Sequence, residues 1–130
     1  MPPSEPLKPT EAELAILRVL WDRGPSTVRE VTEALAAERG TGYTTALKLL
    51  QIMSEKGLVV RNESAKSHVY SPSVPAEVTQ KHLVADLLDK AFGGSAQKLV
   101  MQALSSTRAS REELAEIRRL LDQLDTPGGI

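Results

Sequence analysis

Three times in this chain a hydroxyl side chain stands three residues ahead of a glutamate at the head of an apolar stripe: Thr10-Glu11-Ala12-Glu13, Thr27-Val28-Arg29-Glu30 and Ser110-Arg111-Glu112-Glu113. In such a box the hydroxyl accepts the glutamate's amide while the carboxylate accepts the hydroxyl residue's own amide, so two orphan donors of a helix start are satisfied together. The boxes thus fix helix starts, and glycines fix the stops. The first helix is expected from about Glu11 to Arg23, burying Leu14, Leu17, Leu20 and Trp21 before Gly24-Pro25 ends it. In the second, Val28, Val31 and Leu35 recur at helical spacing until Arg39-Gly40 breaks the pattern. A third begins near Tyr43, buries Ala46, Leu49, Leu50 and Met53, and stops at Gly57, a left-handed C-cap. Three short helices joined by tight turns make a helix-turn-helix.

Leu58 to Glu63 and Ser67 to Pro72 carry β-branched residues on either side of Ser64-Ala65-Lys66, and so read as a hairpin with Lys66 at its tip. A helix-turn-helix followed by such a hairpin is a winged helix. After Pro75 only helical periodicity remains. Leu83, Val84, Leu87, Leu88, Ala91 and Phe92 form a wide stripe ending at Gly93-Gly94, and Ser95 can cap a helix that carries Leu99, Val100, Ala103 and Leu104. In the last helix Leu114, Ile117, Leu121 and Leu124 are spaced 3, 4, 3, the seam of a coiled-coil-like contact. Three helices of this length do not easily bury such stripes alone, whereas a second copy related by a twofold axis would cover them. The expected fold is mainly α with a small β hairpin: a winged-helix domain over residues 1–74 and a helical dimerisation domain over 75–130. Its interface residues would include Leu87, Leu88, Leu114, Ile117, Leu121 and Leu124. The tail from Thr126 to Ile130 is expected to fray.

At 130 residues the chain suits one domain or two very small ones, and a domain of half that length buries only about 60% of its unfolded surface, which favours partnering. With no cysteine, thiol catalysis, disulfides and thiolate metal sites are excluded. His68 and His82 are the only histidines and stand apart from any ligand spacing, so neither a metal nor another cofactor is expected. A phosphate-binding glycine loop is also missing, and an enzyme is not expected. No apolar stretch reaches membrane-spanning length and MPPSEPLKPT lacks the pattern of a signal peptide, leaving a cytoplasmic location as the default expectation.

The net charge of −1 is unpromising for nucleic acid, but the charge is unevenly placed. From Arg39 to Pro72 five basic residues face two acidic ones, a net +3, which leaves −4 for the rest. A binding partner meets a local face, so the whole-chain value is a weak objection.

Two adjacent threonines, which helices disfavour, open the third helix. Thr44 and Thr45 share a flank with Lys48 and Gln51, opposite Ala46, Leu50 and Met53. An α-helix fits the major groove of B-DNA, and small hydroxyl side chains near its N-terminus can reach phosphates, base edges and thymine methyls. Plain capping by Thr41 or Thr44 and a solvated Lys48 are the simpler accounts of each part. The conjunction on one helix face, directly before a hairpin bearing Arg61, Lys66 and His68, points to DNA. Tyr43 can pack on the first turn while its hydroxyl reaches a phosphate. Thr27 and Arg29 stand where a second helix can touch the DNA backbone, with capping the simpler role for Thr27.

The segments ELAILRVLWDRGPSTVREVTEAL, GYTTALKLLQIMSEKGLVVR and HVYSP resemble the penicillinase-repressor (BlaI/MecI/CopY) family of bacterial regulators, most closely over about residues 9 to 72. The resemblance implies a homodimeric transcriptional repressor that recognises a dyad-symmetric double-stranded DNA operator through its third helix and wing. A winged-helix protein-interaction module without DNA binding is the alternative. Antibiotic-responsive members of the family are cut by a membrane sensor protease at an Asn-Phe bond, where this chain has Gln102-Ala103; copper-responsive members carry a Cys-x-Cys pair, and this chain has none. Neither trigger carries over, and any sensor protease is unknown. Ala46 and Ile52 stand where the family has Val and Arg. Leu47 stands where polar residues are common, and the sequence leaves open whether it faces DNA.

Overall fold

The first two capping boxes form as their chemistry requires. At α1 (Glu11–Arg23), Glu13 N–H donates to Thr10 Oγ1 at 3.2 Å, and Thr10 N–H donates to Glu13 Oε1 at 2.9 Å. Thr27 and Glu30 repeat both bonds, at 3.2 and 2.9 Å, at the head of α2 (Val28–Arg39). A computed structural model describes residues 8–64 and 66–126. Of the tail expected to fray, Thr126 to Ile130, only Thr126 lies within the described residues, and its Oγ1 donates to Asp122 O at 2.8 Å.

α3 (Tyr43–Lys56) starts differently: Gly42 occupies the N-cap, and no side chain caps the helix. Its far end closes on Gly57, whose φ of 83° and ψ of 15° lie in the left-handed region, where a side chain would be strained. The Leu58 amide then donates to Met53 O at 2.8 Å, turning the chain directly from α3 into the sheet.

That sheet has three strands rather than the two of the expected hairpin. Strand β1 (Ser26–Thr27) lies beside β3 (Val69–Pro72), which pairs on its other side with β2 (Val59–Asn62); all pairings are antiparallel, with Ser26 opposite Tyr70 and Arg61 also opposite Tyr70. A two-residue strand leaves no periodicity to read in a sequence. The hairpin strands are also shorter than Leu58–Glu63 and Ser67–Pro72.

Ile16, Leu17 and Leu20 of α1, Val28, Val31 and Leu35 of α2, Ala46, Leu50 and Met53 of α3, Val59 of β2 and Tyr70 of β3 form one buried cluster. Each fully buried aliphatic side chain there contributes about 1.5–3 kcal/mol. Leu14, Leu49 and Trp21 were expected inside, but are half-buried and pack against the cluster from its rim. For Trp21 the reason is its indole N–H, which must reach a partner and donates to Val74 O at 3.2 Å.

The chain divides into two compact units, Met1–Ala85 and Asp86–Ile130. The remaining helices are α4 (Ala76–Phe92), α5 (Ala96–Ser106), capped by Ser95, and α6 (Arg111–Leu124), capped by the third box. None contains a buried residue. Leu114 and Ile117 are half-buried, whereas Leu121 and Leu124 are 55% and 69% exposed. Among the described residues, no helix is long and apolar enough to cross a membrane.

Candidate nucleic-acid interface

α3 is two-sided. Ala46, Leu50 and Met53 are wholly buried, while Thr44, Thr45, Lys48 and Gln51 are all exposed and lie together on the opposite side at the helical period. With Gly42 at the N-cap and no side-chain cap bond, neither Thr41 nor Thr44 is spent on capping. Thr44 and Thr45 thus sit in the first turn, where backbone N–H groups and the positive end of the helix dipole favour an anion such as phosphate. Tyr43, at 52% exposure, stands at the same end. Leu47, left open by the sequence, is half-buried and packs against the core.

The other candidates divide. Arg29 is exposed in the first turn of α2. Thr27 is half-buried, caps α2 and pairs with Val69, so two structural roles account for it. Arg61, Lys66 and His68 are all exposed on the hairpin.

The expected +3 surplus is smaller as a face than as a count. Arg39 lies 3.8 Å from Glu11, Lys56 lies 2.9 Å from Glu13, and Arg61 lies 3.1 Å from Glu63. Of the five basic side chains in that segment, Lys48 and Lys66 alone are without a carboxylate within ion-pair distance among the described residues. Sequence counting missed the Glu11 and Glu13 pairings because both acids lie outside the segment counted.

Glu13 is the one buried carboxylate of the described core. Burial alone raises its pKa and is the largest influence, but the Thr10 amide, the Lys56 ammonium at 2.9 and 3.1 Å and the Thr10 side chain more than offset it. The carboxyl is therefore held below its ordinary value of 4.5. This pair joins α1 to the C-terminal end of α3, where a cation also complements the helix dipole. Glu30 is likewise lowered, chiefly by the Thr27 amide.

Three helices, a three-stranded sheet and an open polar flank on α3 make a winged helix-turn-helix. Residues 9–123 match the sequence pattern described as Penicillinase repressor. The chain is 33% identical over 121 residues to the transcriptional regulator BlaI of Mycobacterium tuberculosis, covering 92% of this chain and 86% of that one. It is 21% identical over 114 residues to the penicillinase repressor of Bacillus licheniformis, covering 88% and 89%. The solution structure of the monomeric form of Bacillus licheniformis BlaI, in complex with the blaP half-operator, shares the fold; it has a TM-score of 0.50 and 20% identity over 56% of this chain and 89% of that one. This chain belongs to the penicillinase repressor family, a family of DNA-binding transcriptional repressors.

Proposed function

We propose that the protein represses transcription as a homodimer bound to a dyad-symmetric DNA operator, with residues 1–74 as the DNA-binding domain and residues 75–130 as the dimerisation domain. The observation that carries this reading is the exposed flank formed by Thr44, Thr45, Lys48 and Gln51 on a helix whose opposite flank is core. In this arrangement α3 enters the major groove, with Thr45 and Gln51 at base edges and Thr44 and Lys48 at edges or phosphates. Tyr43, Arg29 and the wing residues Arg61, Lys66 and His68 contact the DNA backbone, which fixes register and supplies salt-dependent affinity. The half-operator complex of the Bacillus relative supports the DNA partner.

The apolar faces of the C-terminal helices support the second copy. Leu87, Leu121 and Leu124 are about half exposed or more, and Leu88, Leu114 and Ile117 are half-buried beside them in sequence. Two half-sites held by one twofold dimer gain affinity from tethering. No catalytic role is assigned to any residue, and the reading places the protein in the cytoplasm with the DNA it controls.

Selection of genomic fragments by the purified protein, followed by mobility shift, tests the reading. Retained fragments should share an inverted repeat and bind one dimer each. A protein-interaction module would retain no duplex, and that outcome would refute operator recognition.

A further inference from the structure

The hairpin carries a carboxylate that the DNA-binding reading does not use. Arg61 lies one residue before the end of β2, and Glu63 follows the strand directly. The β2–β3 register ends with Asn62 opposite Val69, and Glu63 and His68 are the residues next beyond that pair. Both basic groups converge on a single oxygen: Glu63 Oε1 lies 3.1 Å from an Arg61 guanidinium nitrogen and 3.7 Å from His68 Nε2. All three side chains are solvent-accessible, at 37% for Arg61, 58% for Glu63 and 44% for His68. Lys66 stands nearby in sequence without such a partner among the described residues.

We propose that Glu63 is a built-in brake on DNA affinity, an anion that occupies Arg61 in the free protein so that a phosphate must displace it. The proposal rests on the reading of the wing as a phosphate-contacting element. A guanidinium pairs with carboxylate and phosphate through the same donor geometry, so the two compete for one site. An exposed carboxylate pair is weak enough to be exchanged, yet each exchange diminishes the benefit of the phosphate contact. Because phosphate contacts carry no sequence information, the brake falls on non-specific binding as fully as on specific binding. A repressor that must leave random DNA to find its operator is served by such an arrangement.

The test is fluorescence anisotropy with a labelled random-sequence duplex across a salt series, using the full chain as wild type, Glu63→Gln, Arg61→Gln and the double variant. Glu63→Gln should bind roughly threefold or more tightly at low salt and steepen the log–log salt slope by about one. In the Arg61→Gln background the same change should do much less, because the released group is gone. Wild-type binding with no gain in Glu63→Gln would overturn this proposal alone, and an equal gain with Arg61 absent would replace it by simple repulsion between Glu63 and DNA. A wild type that binds no duplex, operator included, would overturn the DNA-binding reading and the brake together.

Discussion

Thr27 and Thr44 are the same side chain at nearly the same kind of position, and the structure separates them. Thr27 makes both bonds of a capping box, whereas Thr44 lies one residue inside a helix whose cap is Gly42. Replacing Thr27 by Ala should cost about 1 kcal/mol, a fall in melting temperature of roughly 4–8 °C for a domain of this size. Thr44→Ala, on an exposed helical surface where alanine is the better helix former, should leave the melt unchanged or slightly higher. Equal losses for the two in thermal unfolding would show that Thr44 has a structural bond after all. Within the DNA-facing set the contrast is between charge and readout. Lys66→Ala should weaken binding to every duplex by about 1 kcal/mol and flatten the salt slope by about one. Thr45→Ala should change the ranking of operators in a competition shift assay. Equal losses for Thr45→Ala on operator and random DNA would rule out base readout at that position.

Between elements, the Glu13–Lys56 pair holds α1 against the end of α3. Since the folded-state pKa of Glu13 lies below its ordinary value, the unfolded chain takes up the proton more readily, and stability falls as pH falls. The contribution is complete above about pH 4.5 and disappears as pH drops through the lower folded value. Glu13→Gln should therefore lower the melting temperature at neutral pH, by an amount reflecting about 1–3 kcal/mol, and flatten the acid limb of a pH series of melts. Glu30, also lowered, keeps part of that limb in the variant. Parallel acid limbs in wild type and variant would remove Glu13 from the account. The helices themselves were legible in the sequence because capping boxes and glycine stops are local chemistry: α1, α2 and α3 begin and end where Thr10, Thr27, Arg39 and Gly57 indicate. Strand β1 was not, because two residues carry no period and their pairing with Val69 and Tyr70 spans more than forty positions. The exposed flank of α3 was legible for the same periodic reason as its core. The Arg39–Glu11 and Lys56–Glu13 pairs that reduce the positive face depend on which helices meet, and no local pattern encodes that.

At the scale of the whole molecule the open question is how a small wing and one short helix per subunit hold an operator. Lys48 and Lys66, the lysines of the Arg39-to-Pro72 segment without a carboxylate partner among the described residues, make a modest electrostatic footprint, so the proposed dimer must convert two weak half-site contacts into one strong one. A short tether gives the second contact a high effective concentration and raises affinity by about 10²–10⁴ over a single site. Leu121, 55% exposed on the 3, 4, 3 seam of α6, is the position at which to cut that link. Near a twofold axis a residue faces its own copy, so Leu121→Glu sets two carboxylates against each other where two leucines would have packed. Glutamate is also a good helix former, so α6 is retained, and far-UV circular dichroism should be unchanged. The variant should sediment as a monomer at concentrations where the wild type is a dimer. On a duplex with one half-site it should bind like the wild-type protein, and on the full dyad it should lose most of the tethering gain. If Leu121→Glu keeps the dimer mass and full-dyad affinity, the α6 seam is not what joins the copies. Loss of single half-site binding as well would mean that the helical region also supports the DNA-binding face directly.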